Sequence, residues 1–423
     1  MKINENEIQR AYSLAQERYA SLGVDTEDIL KRMQGIHLSL HCWQGDDVTG
    51  FENREGPLTG GIAATGNYPG KARNADELRE DLQQVFRLLP GKHRLNLHAI
   101  YAETGTQKIE RNQIRPEHFS RWIDWGKEHC QGLDFNPTCF SHPKSADGFT
   151  LSHPDTSIRQ FWIEHCIASR SIGETFGRAF HTPSIVNIWI PDGYKDTPAD
   201  RLAPRQRLLN SLNQILSHPI SREYILDAVE PKLFGIGSES YVVGSMEFYV
   251  GYAIRRNILL TLDTGHFHPT ESVADKISSL LLYLEGILLH VSRGVRWDSD
   301  HVVIYNEELQ GLMQEVIRAN ALQRVYIGLD YFDASINRIA AWVIGARTTL
   351  RALLNALLEP YPLLQQAEKE GNLTLRLALQ EEFQTLPSQA VWEYYLLTQS
   401  VPVGISFMEE IKTYEREKLS RRM

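Results

Sequence analysis

The sequence predicts an α/β protein, a (β/α)8 TIM barrel preceded by N-terminal helices and followed by a C-terminal helical extension. Three observations predict it. Eight short β-rich runs alternate with longer amphipathic segments, as in repeated βα units, and eight such units close a barrel. Acidic and histidine residues recur at the C-terminal ends of the later runs, where this fold builds its sites. Beyond about Ala334 the β signal stops and long helical patterns take over.

Taken in order, residues 5–33 read as helix, first ENEIQRAYSLAQERYASLG and then a stretch started at Thr26-Glu27-Asp28. The eight runs are 35–43, 94–101, 132–140, 184–190, 225–233, 258–265, 286–292 and 324–332. In the first, Ile36, Leu38 and Leu40 alternate with His37, Ser39 and His41, the period of a strand. The intervening segments carry helix signals. Asn74 with Glu77 matches a capping box, and Leu78, Leu82, Val85, Phe86 and Leu89 form one apolar stripe that can cover a sheet. Similar stretches run through 116–129, 157–179, 203–217, 240–254, 271–283 and 307–320. Two long irregular segments, 44–72 and 102–115, come after the first and second runs. Loops of that length at strand C-terminal ends are expected to serve the site, the first as a lid.

After the last run, residues 335–358 form a helix expected to close the barrel and continue outward. The rest of the chain is too thinly apolar for a core of its own. The expected organisation is therefore a catalytic barrel domain, 1–345, with its N-terminal helices, and a helical extension, 346–423, lying on this subunit or gripping a neighbour in an oligomer.

The composition agrees. A barrel needs roughly 250 residues and tolerates additions, and this chain has 423, 42% of them apolar. A net charge of -9 and a pI near 5.9 argue against a nucleic-acid partner, which needs a basic face. The N-terminus MKINENEIQR has no apolar signal-peptide core, and no apolar run approaches the ~20 residues that span a bilayer. A cytoplasmic protein with no membrane contact is expected. Cys42, Cys130, Cys139 and Cys166 lack CxxC spacing and read as buried free thiols.

The chemistry lies in the late strands. Glu230 ends the fifth run, Asp263 the sixth with His266 just beyond, His290 the seventh and Asp330 the eighth, while Asp298 and Asp300 come after the seventh in a D-x-D pair. Strand tips converge on one mouth, so these become neighbours. Alone, an Asp at a strand end is more often a helix cap, and a lone His290 in an apolar run more often a satisfied core histidine. Together the carboxylates would repel one another unless a divalent cation neutralised them. Carboxylates with imidazoles suit Mn, Mg, Co or Zn, and seven ligands exceed what one open ion needs, so two cations are expected, manganese first. Lys232 lies two residues from Glu230 and so on the same strand face, either aiding the metal in stabilising a substrate oxygen or merely pairing with Glu230. His98, Trp189 and Phe135 are candidate walls of a sugar-sized pocket, although each aromatic alone is more often core.

The set Glu230-Pro231-Lys232, DTGH at 263–266, HVSRGVRWDSDHV at 290–302, GLDYFDASINR at 328–338 and LHCWQGDDVTGFE at 40–52 resembles the bacterial L-rhamnose isomerase family across nearly the whole chain. The resemblance implies an aldose–ketose isomerase converting L-rhamnose to L-rhamnulose in a cytoplasmic homotetramer with two divalent ions. By position, Glu230, Asp263, His290 and Asp330 would hold a structural, substrate-orienting ion, and His266, Asp298 and Asp300 a catalytic one. The Glu-Pro-Lys triplet also resembles xylose isomerases, in which the lysine contacts the oxygen at the carbonyl end of the open sugar. A metal-assisted hydride shift is the favoured route, with an enediol route through a free carboxylate as the alternative. His98, or Asp330 with a water, is the candidate for opening the pyranose ring. A metallo-phosphoesterase on the same barrel and a non-catalytic metal-binding scaffold are the rival functions. The first would need basic phosphate contacts, and the second would saturate each ion with protein ligands.

Overall fold

The computed structural model describes residues 4–52, 58, 62–235, 237–296 and 299–422. Strands follow the chain as β1 (Ser39–His41), β2 (Arg94–His98), β3 (Leu133–Asn136), β4 (Ser184–Ile188), β5 (Gly193–Tyr194), β6 (Ile225–Val229), β7 (Tyr241–Val242), β8 (Leu259–Asp263), β9 (Ile287–Val291) and β10 (Val325–Leu329). Eight of them close a barrel in the order β1-β10-β9-β8-β6-β4-β3-β2, every pair parallel. Each expected run contains one barrel strand, so the predicted fold class is the observed one. The remaining pair, β5 and β7, forms a two-stranded antiparallel ribbon beside the mouth.

Before the barrel stand α1 (Glu5–Ala20) and α2 (Thr26–Gln34). The outer layer contains α3 (Ala75–Arg87), α4 (Ser120–His129), α5 (Thr156–Phe180), α6 (Leu202–Ile215), α7 (Met246–Arg256), α8 (Ala274–Leu280), α9 (Glu307–Arg318) and α10 (Arg338–Leu358). Asn74 caps α3 as expected, its side chain accepting from the Glu77 N–H. Two expected helices begin late, the one at 271–283 starting only at Ala274. Within 240–254, Tyr241 and Val242 are strand, because aromatic and β-branched side chains suit the ribbon, and the helix starts only after Ser245.

The core lies in two places. Most of it fills the space between strands and helices, while a small cluster of Ile185, Leu226, Ala228, Leu259 and Leu288 plugs the barrel interior. At the barrel floor Arg94 makes a paired contact with Asp134 (2.7 and 2.9 Å), and Asp134 also accepts from Ser39 Oγ (2.6 Å) and the Ile185 N–H (2.9 Å). The buried pair therefore has its hydrogen bonds met. All four cysteines are buried and free.

Helix α10 is buried nearly all round, and Trp342 donates to the His41 carbonyl (2.8 Å), tying the helix to the first strand. The expected domain boundary at 345/346 falls inside this continuous helix. Beyond it come α11 (Tyr361–Lys369), α12 (Leu373–Gln384), α13 (Ser388–Thr398) and α14 (Phe407–Glu417). They lie on their own subunit: Tyr394 stacks on Tyr12 of α1 at 3.8 Å, and Tyr414 and Arg422 both bond Asp81 of α3. Helix α12 is the exception, with no buried residue and with Leu373 and Leu377 exposed. No helix among the described residues is long and apolar enough to cross a membrane.

Candidate metal centre and sugar pocket

Parallel pairing decides which side chains meet at the mouth. Asp263 on β8 pairs with His290 on β9, and His290 pairs with Gly328 on β10. Gly328 leaves room for the His290 ring, since a Cβ there would lie 3.2 Å from it, a tight contact. Glu230 leaves β6 and Asp330 leaves β10 at the same level, each one residue past its strand. Around His290 Nδ1 stand Asp330 Oδ2 at 3.1 Å, Glu230 Oε2 at 3.3 Å and Asp263 Oδ2 at 3.9 Å.

Electrostatics mark this cluster as strained without a cation. Burial pushes the Asp263 carboxyl up to about 7, with Asp330 and Glu230 adding repulsion against the opposing pull of His266 and His290. Burial would also raise Asp330, but the His290 imidazole close beside it outweighs burial and brings it down to about 2. For His290, burial lowers the pKa, yet the Glu230 and Asp330 carboxylates outweigh it and hold the ring well above its ordinary value.

Geometry tests whether a metal fits. Asp263 Oδ2 and His290 Nδ1 are both buried and make no aligned hydrogen bond, although they sit among potential partners. Groups that face one shared point instead of one another have this arrangement, and a cation at that point would satisfy both. Meanwhile the other oxygens are pinned by donors. Asp263 Oδ1 accepts from the Gly265 N–H (2.6 Å) and Ser292 Oγ (2.8 Å), and Asp330 Oδ1 accepts from Trp43 Nε1 (3.0 Å). Gly265 cannot carry a side chain, since a Cβ would lie 2.6 Å from that serine oxygen. Glu230, Asp263, His290 and Asp330 thus form one group fit for a metal.

A second group shares Asp263 and adds His266 and Asp300. His266 Nδ1 donates to the Pro231 carbonyl (3.1 Å), so the lone pair is left on Nε2, the atom a metal would take. Asp298 lies outside the described residues, and its place in this group is not part of the structure.

The cavity at the centre is lined by the polar residues Glu230, Lys232, His266, Asp300, Asp330, His98 and Asn136 and by the apolar residues Trp43, Phe140, Trp189, Phe332, Val48 and Ile62. Lys232 projects into it with its ammonium 5.3 Å from the centre of the Trp189 ring. His98 is buried, packs edge-on against Trp43, and shares a hydrogen bond between Nδ1 and Thr138 Oγ1 (3.1 Å). Burial brings its pKa down to about 3, with Arg111 and His290 reinforcing and Asp330 opposing, so the imidazole is neutral at any working pH.

Val48 reaches the cavity at a conformational cost. It and Asp47 both sit at positive φ, 60° and 59°, which a β-branched residue rarely adopts. The turn is held by Arg338 on Asp47 and by Tyr101 Oη and the Gly50 N–H on Asp46, all at 2.7 Å. Parts of the expected lid are likewise fixed over the mouth: Tyr68 N–H donates to the Ala334 carbonyl (2.7 Å), and Ala334 N–H donates back to Thr65 (3.2 Å). Residues 53–57 and 59–61 of that segment are outside the described ones.

Phe135 is a correction. It does not line the cavity, but is fully buried against Phe119 (5.1 Å) and Phe176 (5.8 Å) in the helix layer. The register gives the reason: His98 pairs with Asn136, so Phe135, one residue earlier, faces the other way. The sequence reading also missed Trp43, Asn136, Phe140 and Phe332 as cavity residues, and Asn187, which supports Glu230 from below. For Asn136 a signal existed, since Asp134 and Asn136 alternate as polar residues through an otherwise apolar run.

The chain matches the family model for L-rhamnose isomerase (RhaA) over residues 6–422. It is 59% identical over 416 residues to the L-rhamnose isomerase of Salmonella gallinarum (strain 287/91 / NCTC 13346), covering 98% of this chain and 99% of that one. Identity and coverage are the same for the L-rhamnose isomerase of Salmonella enteritidis PT4 (strain P125109). Among solved structures, an L-ribulose 3-epimerase superposes with a TM-score of 0.46 at 12% identity, covering 80% of this chain and 98% of that one.

Proposed function

Because the chain belongs to the L-rhamnose isomerase family, we propose that its barrel mouth interconverts L-rhamnose and L-rhamnulose with the residues described above. The enzyme is an aldose–ketose isomerase, and its family is metal-dependent. The single observation that carries the site assignment is that two buried atoms without a hydrogen bond, Asp263 Oδ2 and His290 Nδ1, lie 3.9 Å apart within one group of possible metal ligands.

Glu230, Asp263, His290 and Asp330 would hold one divalent cation, and Asp263, His266 and Asp300 a second, to which the sequence adds Asp298 as a candidate. Manganese is the first choice, since hard oxygens with imidazole suit it, and cobalt, zinc and magnesium follow. Bound there, the metal supplies Lewis-acid polarisation of the two sugar oxygens between which the carbonyl moves, the chemistry a hydride shift from C2 to C1 requires.

The protein's own groups do the rest. His98, neutral and tethered through Nδ1, offers its other ring nitrogen to accept a hydrogen bond from the sugar hydroxyl during ring opening. Lys232 places a positive charge where the reacting oxygen gains negative charge. Trp43, Phe140, Trp189 and Phe332 exclude water around the migrating hydrogen, and Val48 and Ile62 extend that wall toward the methyl of a 6-deoxy sugar. The apolar wall is also what disfavours the phosphoesterase alternative: Lys232 is the one cation among the cavity's described lining residues, too few for a phosphodiester.

A homotetramer in the cytoplasm is the assembly we propose, the exposed leucines of α12 being available for a neighbouring subunit. The test is turnover by the manganese-loaded enzyme of L-rhamnose, D-xylose and a phosphodiester side by side. Preference for L-rhamnose with no phosphodiester cleavage is expected. Equal turnover of the two sugars would remove the apolar wall as the specificity element.

A further inference from the structure

Asp263 and Asp330 are held by direct donors, but Glu230 is held through a two-step chain. The Asn187 amide nitrogen donates to Glu230 Oε2, and the Asn187 amide oxygen accepts from the Thr261 hydroxyl at 2.7 Å. The three residues come from β4, the end of β6 and β8, which are neighbours in the barrel, so the chain passes beneath the floor of the metal centre. All three are buried, with Thr261 and Asn187 at 0% and 1% exposure.

A primary amide is nearly symmetric in shape, so packing alone does not decide which way round Asn187 sits. Its partners decide. With the oxygen toward Glu230, two acceptors would face each other in a low-dielectric interior. With the nitrogen toward Glu230, the oxygen needs a donor, and the Thr261 hydroxyl is that donor. Loss of the hydroxyl would leave a buried amide oxygen unsatisfied and remove what fixes the amide's direction. The consequence reaches Glu230, because the Asn187 bond occupies one lone pair of Oε2 and sets the plane in which the remaining ones point.

We infer that Thr261, acting through Asn187, is a positioning residue that aims the Glu230 carboxylate at the cation and thereby sets the affinity of the metal centre. The inference rests on the metal-binding reading given above. Neither residue touches the cavity, so any effect must pass through Glu230.

The experiment is calorimetric titration of Co2+ into the full-length enzyme stripped with EDTA and dialysed, alongside metal-free melting temperatures. Thr261→Val is nearly isosteric and removes the hydroxyl, whereas Thr261→Ser keeps the hydroxyl and removes the methyl. Thr261→Val should bind Co2+ about 10-fold or more weaker, the usual scale for losing an orienting partner behind a ligand. Thr261→Ser should bind like the unmodified enzyme while melting lower. Asn187→Leu, which removes the donor itself, should lose at least as much affinity as Thr261→Val, and it keeps the idea testable if that variant does not fold. Unchanged Co2+ affinity in Thr261→Val or Asn187→Leu would overturn the inference, as would equal losses in Thr261→Val and Thr261→Ser. An unmodified enzyme that binds no Co2+ would instead overturn the metal reading on which the inference stands.

Discussion

Two buried charge clusters occupy opposite ends of one barrel, and they are balanced in different ways. At the floor, Asp134 faces Arg94, and its carboxylate also takes a hydroxyl and a backbone N–H, so the protein supplies every partner. At the mouth, Glu230, Asp263 and Asp330 surround one imidazole, two atoms are left without aligned partners, and Asp263 is driven toward protonation. The floor is a closed circuit that holds the fold. The mouth is left incomplete by the chain, and a bound cation would complete it. Buried ionic groups serve stability where they are satisfied internally and serve chemistry where they are not.

Metal removal should separate the two ends most sharply. EDTA should abolish isomerase activity and Mn2+ or Co2+ should restore it, while the far-ultraviolet circular dichroism stays that of a folded barrel. Full activity in metal-free protein would erase the distinction between mouth and floor.

The floor is addressed by Asp134→Ala. Leaving Arg94 buried and unpaired should cost about 3–5 kcal/mol in urea unfolding, the usual range for breaking a buried pair. The kcat of the molecules that remain folded should be close to normal. A large fall in kcat with unchanged stability would mean the floor also serves catalysis.

Lys232→Met reverses that pattern. The loss should lie mainly in kcat, about 100-fold by comparison with a lost oxyanion donor, with little change in melting temperature. An effect confined to melting temperature would make Lys232 a structural partner of Glu230.

Acid should weaken the fold away from the mouth as well. Burial brings His93, next to the floor, down to about 4, with His37 adding to the effect, and brings His165 down to about 3, mainly through burial. Each binds a proton more readily unfolded than folded, so stability should fall as pH drops from about 6.5 toward 4 and be complete above that window. Melting temperatures measured across that range check it, and His93→Asn should flatten the slope.

The smallest effects compare two phenylalanines. Phe135→Leu should lower stability by about 1 kcal/mol, the low end for trimming a core side chain, and leave KM alone. Phe140→Leu should do the opposite, raising the KM for L-rhamnose a few-fold. A KM effect from Phe135 would return it to the sugar wall.

Much of this protein was legible in its sequence because the signals are local. Strand-length runs separated by amphipathic stretches set the count of eight, and the candidate ligands Glu230, Asp263, His290 and Asp330 stand near the ends of four of those runs. What could not be read was which side of a strand faces inward. Strands of a parallel barrel are covered on both faces, so apolar residues recur without strict alternation and hydrophobicity does not reveal the parity. For that reason the sequence does not separate Phe135 from the residues at the mouth, whereas the register pairs it with the outward-facing Leu97. Trp43 and Phe332 carry no such signal for a related cause: they lie past their strands, where tertiary contacts set direction, Trp43 through its bond to Asp330 and Phe332 through its N–H on the Asp300 carbonyl.

From the sequence alone came the barrel and the candidate acidic and imidazole residues at its strand ends, with Lys232 beside them, because those depend on periodicity and on position along a strand. Only the tertiary structure decided that Asp263 joins both candidate metal groups, that His98 is held neutral, and that Asn187 and Thr261 stand behind Glu230. Each of those facts depends on inter-strand register and burial, which arise when eight strands close on one another and which no single strand encodes.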